Sequence, residues 1–96
     1  MNIEFRVASN EQIETELVRR IKRDRVAQGL KQTKLAKLAG VVRRTVSSVE
    51  HGKGASLTTF IALLRGLDAV RELERIHHPE RHVVIELELR QVAPLS

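Results

Sequence analysis

Apolar residues recur every three or four positions along most of the chain, which is the spacing of amphipathic helices. Ser9 and Gln12 have the spacing of a capping box, so a first helix is predicted to begin there and to end at Gly29. Two short segments with apolar faces follow on either side of Gly40, a residue that can end a helix in the left-handed conformation. This part of the chain predicts two helices joined by a tight turn.

The pattern continues with two further helices. Ser56 is placed to cap a fourth helix over residues 57–66, whose apolar side continues to the following leucine. Asp68 is placed to cap a fifth helix that ends near Ile76. The fifth helix is expected either to complete the core or to contribute to a dimer interface.

The period changes from helical to alternating at both ends of the chain. Residues 2–7 and 83–92 alternate between apolar and polar side chains, which predicts two short β-strands. Because a lone strand is not stable in water, the strands are expected to pair with each other, across a dimer, or both. The chain is therefore expected to be mainly α and to form a single domain, residues 1–96, with an N-terminal strand in 1–9, a helical core in 10–67, and a fifth helix and dimerisation strand in 68–96.

Basic charge is concentrated in the middle of the chain. From Arg19 to Lys53 there are eleven lysines and arginines against two acids, whereas the other residues carry six against ten. Beside a tight helical pair, such a basic segment favours nucleic acid over a merely solvated face. The chain has no cysteine, no run of eighteen apolar residues and no signal-peptide pattern, so neither thiolate metal sites nor a membrane partner is expected.

The segment GLKQTKLAKLAGVVRRTVSSVEHGKG, residues 29–54, resembles the Xre/Cro-type helix-turn-helix of phage repressors and bacterial regulators. The resemblance continues through Leu63 to Leu67 and covers roughly residues 17–67. It implies a lambda-repressor-like domain of five helices that binds double-stranded DNA through the major groove. It also implies a cytoplasmic, nucleoid-associated protein of a bacterium or phage.

The resemblance assigns DNA contacts to the two helices on either side of Gly40, called here the first and second motif helices. Base contacts are expected from residues on the outer face of the second motif helix: Arg43, Arg44, Ser47 and Ser48. Phosphate contacts are expected from residues around the start of the first motif helix and the end of the second: Lys31, Gln32, Thr33, His51 and Lys53. Two alternatives stay open, that both arginines contact phosphates alone and that His51 caps its helix instead.

One pair of residues is expected to be structural rather than functional. In the family, the arginine that corresponds to Arg25 forms an ion pair with the glutamate that corresponds to Glu50. Two positions depart from the family pattern. Lys31 stands where serine or threonine often caps the first motif helix, and Val42 stands where a polar turn residue is common. Val42 either contacts a thymine methyl group or packs against the protein.

These features favour a homodimeric transcriptional repressor that reads a palindromic operator. The alternative is the antitoxin of a toxin–antitoxin module, which binds a toxin and regulates its own operon; an adaptor that has lost DNA binding is a weaker third. No catalytic constellation is present, so an enzyme is not expected, and no cofactor is implied. Three histidines lie close together in the sequence after the fifth predicted helix: His77, His78 and His82. They lack the spacing of a recognisable metal site, so no metal is expected there.

Overall fold

The computed structural model describes residues 3–77, which form four α-helices and a 3₁₀ helix. The elements in chain order are α1 (Asn10–Ala27), α2 (Gln32–Ala39), α3 (Arg43–Glu50), α4 (Leu57–Gly66) and the 3₁₀ helix (Val70–Arg75). Within these residues no helix has both the length and the apolar character needed to cross a bilayer. The strand predicted at 83–92 lies outside the described residues. So do His78 and His82, two of the three histidines considered as metal ligands.

Side-chain caps at the start of α1 and α4 are confirmed as predicted. At α1 the Ser9 hydroxyl accepts a hydrogen bond from the Gln12 backbone N–H at 3.1 Å, and the Gln12 side chain accepts one from the Ser9 N–H at 2.8 Å. At α4 the Ser56 hydroxyl accepts from the Thr59 N–H at 3.1 Å. Each cap satisfies an N–H group that the helix itself cannot bond.

The core lies where α2 packs against α3 and α4 and where α3 packs against α1. One apolar face of each α-helix contributes to it, as the helical spacing predicts. The buried core residues are Ile21, Leu35, Ala36, Val46, Val49, Leu63 and Leu67. α3 therefore turns Val46 and Val49 to the interior, whereas its first turn is exposed.

α4 approaches α2 closely at its last residue, Gly66. A Cβ atom on Gly66 would lie 2.8 Å from Leu35 Cδ1 and 3.2 Å from the Ala39 backbone nitrogen. Leu35 is fully buried, so it has little room to move away. The absence of a side chain at Gly66 therefore allows α4 to pack directly on α2.

The fifth helix differs from its prediction. It is a 3₁₀ helix with Ala69 as its N-cap, and Asp68 adopts a left-handed backbone with φ 58°. The Asp68 N–H donates to the Arg65 carbonyl at 3.0 Å, so this residue belongs to the end of α4. Asp68 therefore lies one residue before the N-cap of the 3₁₀ helix, and the prediction that Asp68 caps the fifth helix was wrong.

The predicted N-terminal strand was wrong for its described part, residues 3–7. These residues form a turn, in which the Val7 N–H donates to the Glu4 carbonyl at 3.1 Å. The Arg20 guanidinium lies over the Phe5 ring, 5.0 Å from its centroid, and Val7 stays exposed. Local turn bonds and contact with α1 take the place of strand pairing.

Arg20 is itself positioned by a buried carboxylate of α1. Glu16 accepts hydrogen bonds from Arg19 Nε at 2.9 Å and from Arg20 Nε at 2.7 Å. Hydrogen bonds from Arg19 and then Arg20 lower the pKa of the Glu16 carboxyl to about 2, against a smaller opposing effect of burial. The ionised form of Glu16 is therefore strongly favoured in the folded protein.

We expect Glu16→Gln to reduce the stability of the protein in a pH-dependent way. The folded-state pKa lies below the unfolded one, so the contribution of Glu16 is complete above about pH 4.5 and is lost as the pH falls towards about 2. Urea denaturation of both proteins should show a constant difference in unfolding free energy near neutral pH and a shrinking one below about pH 4.5. A difference of equal size at about pH 3 and pH 7 would contradict this account.

We expect Gly66→Ala to destabilise the fold by about 1–2 kcal/mol, although alanine is the better helix former. The added methyl group would press on the buried Leu35 side chain and on the Ala39 backbone. Urea denaturation would measure the loss. In a Leu35→Ala background the same change should cost less, because the nearest obstructing side chain is gone and only the contacts with Ala39 remain. Equal effects in the two backgrounds would show that the close contact is not the cause.

Candidate nucleic-acid interface

The ion pair predicted between Arg25 and Glu50 is present and connects α1 to the end of α3. Arg25 donates to Glu50 twice, from Nε to Oε2 at 2.6 Å and from Nη2 to Oε1 at 3.0 Å. The side chains are 11% and 3% exposed, respectively, so the pair is largely removed from solvent. This bidentate geometry is the one in which a guanidinium and a carboxylate match best.

Two further hydrogen bonds complete this network and were not predicted from the sequence. Gln32 Nε2 donates to Glu50 Oε1 at 3.0 Å, and Arg25 Nη1 donates to the Leu30 carbonyl at 2.7 Å. The first bond joins the start of α2 to the end of α3, and the second holds the loop between α1 and α2. Because Gln32 uses one amide N–H inside the protein, only its other side-chain N–H stays available to a phosphate.

The network keeps Glu50 ionised. Burial by itself would raise the pKa of this carboxyl, but hydrogen bonds from Arg25 and Gln32, with the nearby charges of Arg25 and Lys22, hold the pKa below its ordinary value. Lys22 therefore lies near enough to act on this carboxylate, which the spacing of residues along the chain did not predict.

The outer face of α3 carries the residues predicted to contact bases. Val46 and Val49 turn inward and are buried, whereas Arg43 and Arg44 at the first turn are exposed and Ser47 and Ser48 are half-buried, as a helix with one inward face requires. Among residues 3–77 neither guanidinium has an ion pair or a side-chain hydrogen bond. Their hydrogen-bond donors are thus available to an outside partner.

α2 and α3 both begin without a side-chain cap, in contrast to α1 and α4. Their N-cap residues are Lys31 and Val42, and neither side chain accepts a hydrogen bond from the helix. The backbone N–H groups of the first two residues of each helix have no partner within the helix. Such N–H groups, together with the helix dipole, favour an anion at these two helix starts.

The end of α3 is capped by His51. Its Nδ1 lies 2.7 Å from the Ser47 carbonyl oxygen and 3.4 Å from the Ser47 hydroxyl. A carbonyl oxygen only accepts hydrogen bonds, so the short contact requires a proton on Nδ1. The chain then turns through Gly52 at φ 77° and reaches the exposed Lys53. Capping, one of the two predicted roles of His51, is therefore what the geometry of the protein provides.

The side chains of Lys31 and Thr33, two of the residues predicted to contact phosphates, are exposed at the start of α2. Gly40, which lies between the two motif helices, has φ 72°, the left-handed conformation expected there. Within the described residues, no group of three or more metal-binding side chains comes together. The arrangement is that of two helices at a tight turn that present basic and hydroxyl groups on one face.

A helix-turn-helix family model matches residues 21–74, which is more than half of the chain. The chain belongs to the Xre/Cro-type helix-turn-helix family. The match contains α2, α3 and α4 entirely, the C-terminal part of α1 and most of the 3₁₀ helix. No curated protein and no solved structure matches the chain.

Family membership makes this chain a DNA-binding transcription regulator. The family is typically non-enzymatic. In the helix-turn-helix the second helix is the one that enters the major groove, N-terminal residues first. In this chain the second helix of the motif is α3, and the residues at its start are Arg43 and Arg44.

We expect Glu50→Gln to destabilise the protein by about 3 kcal/mol, because the Arg25 charge would be left buried without a counter-charge. The double variant Arg25→Met/Glu50→Leu should lose much less than the sum of its single variants, since it removes both buried charges. Urea denaturation of the unaltered protein, Arg25→Met, Glu50→Leu and the double variant would measure the coupling. The exposed Glu74→Gln serves as a control of near-zero effect. Additive losses would contradict a coupled pair.

Proposed function

We propose that the protein is a repressor that binds a palindromic operator as a homodimer, with one α3 in the major groove of each half-site. The observation that carries the proposal is the exposed start of α3, where the Arg43 and Arg44 guanidinium groups have no partner in the described part of the chain. Occupation of a promoter by such a dimer blocks transcription from it.

The base readers that we propose are the residues on the outer face of α3. Arginine can donate two hydrogen bonds to O6 and N7 of guanine, a contact worth about 1–3 kcal/mol of discrimination. Ser47 and Ser48 lie further along the same helix and are half-buried, so they suit short contacts with base edges rather than long reach. We infer that Arg43 and Arg44 specify bases and that the serines adjust the preference.

The anchors that we propose surround the readers. Three exposed residues lie beside the start of α2 and the end of α3: Lys31, Thr33 and Lys53. The free N–H groups at the start of α2 add a site for a phosphate oxygen. Gln32 contributes its second side-chain N–H. His51 contributes a donor from Nε2 only when both ring nitrogens carry a proton, because the Nδ1 proton is used by the Ser47 carbonyl. Such contacts position the protein on DNA but carry no sequence information.

The dimer is proposed because α3 is short. Its eight residues span about 12 Å, which covers only a few base pairs. Two copies of α3 about 34–36 Å apart would read two successive major-groove faces of one operator. The region after α4, residues 68–96, is the part of the chain that we expect to dimerise. A cytoplasmic location follows from a DNA partner.

The experiment that tests this proposal is selection of bound sequences from a random DNA library, followed by sedimentation of the complex. A palindromic consensus, bound by two copies with steep salt dependence, is the expected result. A consensus without symmetry, or one copy bound, would contradict the homodimer. No enrichment above the electrostatic background would contradict a sequence-specific repressor, and a search for a bound toxin would then test the antitoxin alternative.

Arg44→Ala and Lys53→Ala should weaken binding in different ways. Loss of a base reader should relax the preference at one position of each half-site, by about 1–3 kcal/mol against the other bases. Loss of a phosphate anchor should weaken all sequences alike and flatten the slope of log K against log salt by about one unit per half-site. Fluorescence anisotropy on matched and mismatched operators would measure both.

Arg65→Ala is the matched control for these two variants, because it removes an exposed positive charge from α4, outside both the proposed DNA contacts and the region expected to dimerise. We expect its specificity and salt slope to stay close to those of the unaltered protein. If Arg44→Ala and Lys53→Ala reduce affinity equally for every sequence, the division into readers and anchors is wrong.

A further inference from the structure

Val42 is an exposed aliphatic residue at the start of α3. Its side chain is 67% exposed, whereas Val41, the residue before it, packs against the core. Val42 is the N-cap of α3, with φ −84° and ψ 155°, and it directly precedes Arg43. The interpretation that Val42 packs inside the protein is therefore excluded by its position.

The fold gains little from valine at this position. An N-cap residue stabilises its helix when its side chain accepts a hydrogen bond, and valine is among the poorest residues in this role. Val42 accepts none, and its methyl groups face outward in a basic surface. A serine or threonine would give α3 a cap that it now lacks.

The geometry points to Val42 as a specificity-determining residue that contacts the C5-methyl group of a thymine in each half-site. This inference rests on the proposed function, because it places the start of α3 in the major groove. The thymine methyl group lies in that groove and is recognised by apolar contact. The proposed polar readers, two arginines and two serines, bond to the polar edges of bases, so Val42 supplies the apolar contact that they lack.

The probe is the operator selected from the random library, with each thymine replaced in turn by deoxyuridine. This change removes one methyl group and leaves the hydrogen-bonding edge of the base intact. For the unaltered protein we expect at least one thymine per half-site at which deoxyuridine weakens binding about fourfold, the effect of one methyl group removed from an apolar contact. Fluorescence anisotropy at fixed salt would measure each affinity.

Val42→Ser should abolish this sensitivity, so that the thymine and deoxyuridine operators bind equally well. Val26→Ser is the matched control: it removes another exposed valine, 58% exposed on α1, and should leave the fourfold difference unchanged. Val42→Ala should reduce the difference without introducing a hydroxyl group. If Val42→Ser keeps the full deoxyuridine effect, or if no thymine is sensitive in the unaltered protein, the inference is overturned.

Thermal denaturation separates this role from a structural one. Val42→Ser should keep or raise the melting temperature, because serine can cap α3, while its methyl-dependent binding is lost. A lower melting temperature together with uniformly weaker binding would mean that Val42 supports the fold, and would overturn the inference. Failure to enrich any sequence would instead overturn the proposed repressor, so the two failures are distinguishable.

Discussion

The position of α3 depends on one buried carboxylate. Glu50, the last residue of α3, accepts hydrogen bonds from Arg25 of α1 and from Gln32 of α2, and Arg25 also bonds to the Leu30 carbonyl in the loop between them. Removal of these charges from water is costly, and the cost is offset because both carboxylate oxygens have partners. The helix-turn-helix is thus fixed in orientation by polar contacts as well as by its apolar core.

The apolar core fixes the distance between helices, which polar contacts alone do not. α2 lies between α3 and α4, and at Gly66 the absence of a side chain lets α4 approach the fully buried Leu35. α2 packs against α3 on its other side, so the two motif helices share one close-packed core. Close packing of this kind is suited to base recognition, where small displacements of a side chain lose a hydrogen bond.

Features that depend on near neighbours in the chain could be predicted from the sequence. The caps at Ser9 and Ser56 depend on spacings of three residues, and the family resemblance located the motif helices and the Arg25–Glu50 pair. The bond from Gln32 to Glu50 and the close approach at Gly66 depend on how helices cross, which spacing along the chain does not reveal. The predicted strand at 2–7 shows a different limit: alternation over so few residues does not determine a strand when the segment can turn and contact a helix.

The starts of α2 and α3 carry backbone N–H donors that no side chain of the N-cap residue satisfies. α1 and α4 are completed by their own serine side chains, whereas Lys31 and Val42 provide no such cap to the two motif helices. An anion bound at one of these helix starts would act as the missing cap, so it would order the first turn of that helix. Sulfate or phosphate ions in solution would therefore stabilise the free protein, and they would compete with a DNA phosphate for the same donors.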